Sequence, residues 1–183
     1  MSAGHPELIA AIASEITTSG PIPFVRFMEL ALYHPQYGYY MRAPEETTAR
    51  IGQQGDFYTS SDVHPMLGQA LAKQAEQMDR LLGHPTPFTV VEMGPGKGLL
   101  ARHFLSSCQR NNGSFFHRLR YILIERSPAM RALQRKTLAP WLDRPELVTW
   151  VDNLECLPAQ RVTGLFLSNE LIDSFPVHRV HMT

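Results

Sequence analysis

Apolar positions along this chain keep helical spacing up to about residue 82, and strand-like runs begin after residue 87. Over Pro6 to Thr17, Leu8, Ile9, Ile12 and Ile16 recur near helical spacing and predict an amphipathic helix. Ser19-Gly20-Pro21-Ile22-Pro23 breaks it, and a second short helix is expected over 24–32. His34 to Tyr40 reads as a turn crowded with aromatics, and 42–54 as an exposed polar loop. Met66, Leu67, Ala70, Leu71, Ala75, Met78 and Leu82 mark the apolar side of a helix over 64–82, with Ser61 or Asp62 as its cap. Gly83-His84-Pro85-Thr86-Pro87 ends that helix.

Beyond it, Phe88-Thr89-Val90-Val91-Glu92-Met93 is a β-branched, apolar run of the kind buried in parallel sheets. Gly94-Pro95-Gly96-Lys97-Gly98 follows, and then a helix to about Arg110 that places Leu99, Leu100, His103 and Phe104 near one face. Asn111 to Ser114 reads as a loop. Leu119 to Glu125 is a second strand, and Ser127-Pro128 caps a helix running to about Leu138. Leu147 to Asp152 and Gly164 to Ser168 are third and fourth strands, and a further element is expected from Pro176 to His181. Strands alternating with helices predict an α/β fold with a parallel sheet and helices on both faces. A boundary near residue 85 divides a helical region, 1–85, from the α/β part, 86–183.

Composition narrows the class. At 183 residues, 44% hydrophobic and 19% charged, the chain is globular. Lys+Arg and Asp+Glu are both 17, so the net charge of zero gives no reason to expect a nucleic-acid partner. Two cysteines, Cys108 and Cys156, are too few for a disulfide framework or a cysteine-rich zinc site. His178 and His181 lack a further ligand nearby, so no metal is expected. No apolar run approaches the ~18 residues of a membrane span. Acidic residues near the start and no Arg before Arg26 argue against a secretory signal or Arg-rich transit peptide, which makes a cytoplasmic location the expectation.

The glycine-rich turn carries the first chemistry. A phosphate-binding P-loop would need Lys followed by Ser or Thr after its last glycine, and Lys97 lies between two glycines instead. A dinucleotide fingerprint starting at Gly94 would need its third glycine where Leu99 stands. The spacing found is Glu92-x-Gly94-x-Gly96-x-Gly98, which resembles the first motif of class I S-adenosylmethionine-dependent methyltransferases. Glycines there let the backbone approach a cofactor, and Glu92 could accept a hydrogen bond from its ammonium group or from water. Glu125, ending the next strand, is placed to accept hydrogen bonds from ribose hydroxyls. Asp152, with Asn153 beside it, could meet the adenine amine or serve only as a turn or cap. Asn169, Glu170 and Asp173 follow the fourth strand and would face the transferred methyl, with Glu170 or Asp173 orienting a basic acceptor nitrogen. Capping by Asn169 and Asp173 is the equally weighted alternative. Tyr37, Tyr39 and Tyr40 could stack on a cofactor or a cation, or simply pack.

Four motifs in order resemble one family. They are His34-Pro35-x-x-Gly38-Tyr39-Tyr40, Gly55-Asp56-Phe57-x-Thr59-Ser60, Glu92-x-Gly94-Pro95-Gly96-x-Gly98, and Asn169-Glu170-x-x-Asp173-x-x-Pro176-Val177-His178. Together they are similar to the MidA-like methyltransferases, whose mitochondrial members assist assembly of respiratory complex I and are regarded as protein arginine methyltransferases. The resemblance implies a class I Rossmann-like fold and S-adenosyl-L-methionine as cofactor. It also implies a protein substrate, and a loop of Gly55, Asp56, Phe57, Thr59 and Ser60 beside the cofactor in an N-terminal cap. It further implies a protein about twice this length, so that four or five of seven strands are present and an exposed sheet edge follows. Two other readings are a methyltransferase-like module that only binds a partner, and a nicotinamide-dependent oxidoreductase, against which Leu99 speaks.

Overall fold

The computed structural model describes residues 5–41, 64–157 and 162–182. Two helices, α1 (Pro6–Ser19) and α2 (Phe24–Tyr33), lead to α3 (Met66–Leu81). Then come β1 (Phe88–Met93), α4 (Leu99–Asn111), α5 (Gly113–Arg118), β2 (Leu119–Ile124), α6 (Pro128–Thr137), β3 (Val148–Val151) and β4 (Gly164–Leu167). Short 3-10 turns occupy Ala139–Trp141, Leu154–Cys156 and Ile172–Ser174.

The four strands form one sheet in the order β3-β2-β1-β4. Every pairing is parallel, with Phe88 opposite Leu119, Thr89 opposite Gly164, and Tyr121 opposite Val148. The α/β reading of the sequence is therefore the architecture observed. The larger core lies on the sheet face formed by Phe88, Val90, Tyr121 and Leu123, packed by Ala72 and Ala75 of α3 and Phe104, Leu105 and Cys108 of α4. Burying each of the larger side chains stabilises the fold by roughly 1.5–3 kcal/mol. Helices α3 and α4 come very close, since a Cβ on Gly68 would lie 2.6 Å from that of His103. The opposite face holds a smaller cluster of Val91, Ile122 and Ile124 with Met93, Val151, Leu157 and Val162. Strand β4 is an edge among the described residues, and its Phe166 is half exposed.

Three boundaries differ from expectation. The segment read as a loop over 111–114 is helical, because Asn112 accepts a hydrogen bond from the Phe115 N–H at 3.1 Å and so starts α5. Helix α3 begins at Met66 with Pro65 before it and no side-chain cap, and the expected caps Ser61 and Asp62 lie outside the described residues. Pro176 to His181 forms no regular element, and its Val177 and Val180 are exposed rather than packed.

A buried ion pair fixes α3 to the sheet. Asp79, nearly inaccessible to solvent, accepts from both Arg118 guanidinium nitrogens, the Nη2 contact being 2.9 Å, and from His84 Nδ1 at 2.7 Å. Arg118 also donates to the Pro85 carbonyl at 3.2 Å, so one side chain joins the end of α3, the proline linker and the start of β2. The Arg118 hydrogen bond holds the Asp79 carboxyl below its ordinary value against the effect of burial. Asp79→Ala removes the buried acceptor and leaves the partly exposed Arg118 without its partner. It is expected to lower unfolding free energy by about 2 kcal/mol in urea titration, as loss of a hydrogen bond between charged groups implies. The stabilisation should be complete above the unfolded carboxyl's pKa and lost as pH falls through the depressed folded one.

Candidate cofactor site

All three glycines of the turn after β1 have positive φ, 70° at Gly94, 51° at Gly96 and 79° at Gly98. Side-chain-bearing residues adopt that region only at a cost. At Gly94 space matters too, because a Cβ would come 2.7 Å from Leu171 Cδ1. The turn therefore leaves the sheet tightly and opens a cavity of about 840 Å³ over the carboxyl ends of the strands. This is where ligands bind in open parallel sheets, at the point where strand order reverses. The volume falls in the range of small-molecule and cofactor sites.

The turn and the strand ends form the inner wall. Glu92 is buried, and the Tyr121 hydroxyl donates to its Oε2 at 2.7 Å. Burial pushes the Glu92 carboxyl up to about 7, with the Tyr121 hydrogen bond acting in the opposite sense. Glu125, after β2, receives the Ser127 N–H at Oε1 (2.8 Å) and the Gln134 amide at Oε2 (3.1 Å). Burial raises its carboxyl as well, and these donors oppose the rise. Asp152 is well exposed and pairs with Arg131 Nη2 at 2.6 Å. Asn153 accepts the Cys156 N–H at 3.0 Å and so caps the 3-10 turn, one of the two roles open to this neighbourhood.

The outer wall joins the stretch after β4 to α2. Asn169, Glu170, Leu171, Asp173 and Ser174 line it, together with Glu29, Tyr33, Tyr39 and Tyr40. Neither Asn169 nor Asp173 caps the Ile172–Ser174 turn, whose preceding residue is Leu171 and which has no side-chain cap. Glu170 sits in the left-handed region at φ 50°. The Tyr33 hydroxyl lies 3.1 Å from the Ser174 carbonyl, to which it donates, and Ser174 Oγ donates to Leu171 O at 2.6 Å. Tyr33 and Tyr40 pack with ring centroids 5.5 Å apart, whereas Tyr37 stacks on His34 and His5.

The cavity thus gathers Glu92, Gly94, Pro95, Gly96, Glu125, Asp152, Asn153, Asn169, Glu170 and Asp173 around one space, with Gly98 at the base of α4. Gly55, Asp56, Phe57, Thr59 and Ser60 lie outside the described residues. Sequence reading missed Tyr33, Ser174 and Gln134. The signal for Gln134 was present, as a polar residue between Met130 and Leu138 on the stripe of α6 that turns inward.

The family described as "Putative S-adenosyl-L-methionine-dependent methyltransferase" matches residues 70–183. The chain belongs to that family. Among curated relatives, the mitochondrial protein arginine methyltransferase NDUFAF7 homolog of Drosophila melanogaster is 29% identical over 98% of this chain and 43% of its own length. The mitochondrial protein arginine methyltransferase NDUFAF7 of Bos taurus is 28% identical over 92% of this chain and 41% of its own length. A crystal structure from Burkholderia thailandensis, bound to S-adenosyl-homocysteine, superposes with a TM-score of 0.74 at 29% identity, covering 96% of this chain and 45% of that one. This methyltransferase-family chain therefore spans less than half the length of the relatives it matches. The expectation of a cytoplasmic location is corrected, because these curated relatives are named mitochondrial. That expectation rested on the first residues lacking an Arg-rich pattern, which is no guide to where a protein resides. No helix among the described residues is long and apolar enough to cross a membrane.

The buried Glu92 has a consequence for stability. Its folded pKa, about 7, exceeds the ordinary 4.5, so the folded chain binds more protons between those values. Its contribution is therefore complete below the lower value and is lost as pH rises through the upper one. Glu92→Gln keeps an acceptor for Tyr121 and cannot ionise. The stability difference between the variant and the parent, from urea titrations across pH 5 to 8 (about the window set by that shift), should grow in the variant's favour as pH rises.

Proposed function

We propose that this chain holds S-adenosyl-L-methionine in the cavity over β1 and β2, as part of an enzyme that methylates protein arginine in support of respiratory-complex assembly. The observation that carries the reading is the pairing of a three-glycine turn at positive φ with a half-buried, donor-supported carboxylate at the end of the next strand. The open backbone of Gly94, Pro95, Gly96 and Gly98 suits close approach of the cofactor's amino-acid end, with Glu92 beneath it. Glu125 is assigned to the two ribose hydroxyls, which a charged carboxylate with both oxygens already oriented accepts well. Asp152 and Asn153 are assigned to the adenine edge, with Asp152 positioned by Arg131. The loop from Gly55 to Ser60 is assigned to the cofactor's outer side, and residues 1–85 to a cap over the α/β part, 86–183.

When bound, the cofactor supplies an electrophilic methyl group on sulfur. The chain's own residues must then present a nucleophile in line and manage its proton. Asn169, Glu170 and Asp173 are assigned to that side. The carboxylates of Glu170 and Asp173, with Glu29 nearby and Tyr33, Tyr39 and Tyr40 around them, suit a cationic guanidinium. The family match and the arginine methyltransferase relatives support the same chemistry.

Calorimetry with S-adenosylhomocysteine tests the cofactor assignment. The folded parent chain should bind, and Glu125→Ala should weaken binding at least about 10-fold, as loss of a charge-assisted hydrogen bond implies. No binding by a folded parent, or equal affinity in the variant, would remove Glu125 from the site. Binding without methyl transfer to arginine-containing protein would favour the partner-binding module instead.

A further inference from the structure

Gln134 is completely buried on α6, yet it is polar, and its amide nitrogen points at two parts of the site that the proposed function uses. Its Nε2 donates to the Gly96 carbonyl at 2.7 Å and to Glu125 Oε2 at 3.1 Å. Its Oε1 accepts the indole N–H of Trp150, on β3, at 2.8 Å. The reversed amide would set two donors against each other at Trp150 and acceptors against each other at Gly96 and Glu125, so the orientation is fixed. The aliphatic stem does further work, because a Cβ on Gly98 would lie 3.4 Å from Gln134 Cγ. One side chain thus touches the glycine turn at two points, the carboxylate after β2, and β3.

A leucine or methionine at this place on the helix would fill the same space against Met130 and Leu138. Burying an amide there costs free energy unless each group is paired, and here each is. Resting on the cofactor reading above, we propose that Gln134 is the positioning residue that locks the glycine turn and the Glu125 carboxylate into one geometry before the cofactor arrives. The turn cannot shift without dragging the Gly96 carbonyl off the amide. The carboxylate cannot rotate away from the ribose position without losing the same donor.

The amide also stabilises Glu125 in its charged form, which is the form that accepts two hydroxyls. The charged and titratable groups around Glu125 are Arg126 beside it, Arg131 on α6, Asp152 after β3, Glu92 on β1, Lys97 in the turn, and Tyr39 and Tyr40 on the facing wall. Arg131 is already committed to Asp152 and to the Glu125 main-chain carbonyl. The side-chain amide donor of Gln134 on Oε2 is therefore the neutral contact whose removal should make Glu125 harder to ionise, an effect that looser packing alone would not produce.

The test is calorimetric titration of S-adenosylhomocysteine into the 183-residue chain from pH 5 to 8, a window chosen to span about the range of a raised carboxyl. Gln134→Met keeps the volume and removes the amide. It should bind about 10-fold more weakly at neutral pH, with the acid-side loss of affinity moved to higher pH. Unchanged affinity, or weakening by one factor at every pH, would overturn the positioning role. If circular dichroism shows that Gln134→Met does not fold, Trp150→Phe decides, since it removes the indole donor that aims the amide, and the ring it also trims lies under Arg135 rather than against Glu125. A shift of the acid limb in the same direction supports the proposal, and a profile identical to the parent's overturns it. Failure of the parent to bind is a separate result, which brings down the cofactor reading and this proposal together.

Discussion

Strand β1 lies between β2 and β4, and the chain reaches those two neighbours by separate routes. The connection through α4 leads to β2, whereas β4 is reached only after β3 at the far edge of the sheet. The loops that leave the carboxyl ends of β1 and β4 therefore part from each other, and a crevice opens between them. Leu171 lies so close to Gly94 that any side chain on the glycine would collide with it. The turn can leave the sheet steeply there because its three glycines accept positive φ. The inner and outer walls of the cavity are thus two loops that touch at their base and separate above it.

One buried carboxyl, Glu92, and one half-buried, Glu125, line that crevice, and the fold treats them differently. Glu92 has one hydrogen bond, from a tyrosine hydroxyl, and burial dominates, so its acid form is favoured up to neutral pH. Glu125 has a main-chain N–H, an amide and the start of α6 around it, and these counter the same penalty. A carboxyl kept near neutrality can donate as well as accept, whereas one supported by several N–H groups is suited to accept only. An ammonium carries only donors, so such a group beside Glu92 would favour its charged form and offset the burial.

The sheet and the inner wall were legible because their signals are local. A β-branched run, alternating glycines and an acid at a strand end each occupy a few consecutive residues, and a parallel sheet follows from the alternation with helices. The start of α5 was missed because a single Asn112 side chain turns an apparent loop into a capped helix. A further element was expected from Pro176 to His181, yet Val177 and Val180 are exposed among the described residues. Asp152 lines the cavity, and its partner Arg131 sits 21 residues earlier on another element, which no spacing rule connects.

The outer wall depends on contacts that are longer in range still. Tyr33, at the end of α2, bonds Ser174 across 141 residues of sequence, and Ser174 in turn bonds Leu171, which rests on Gly94. Between Leu171 and the end of β4 stands Glu170, held at positive φ, a conformation costing on the order of 1 kcal/mol for a residue with a side chain. Such strain persists only where neighbours on both sides are fixed. Here β4 fixes one side and the Tyr33–Ser174–Leu171 chain fixes the other. The backbone at Glu170 is therefore fixed in part by how α2 docks, so α2 shapes the outer wall of the cavity as directly as the sheet shapes the inner one.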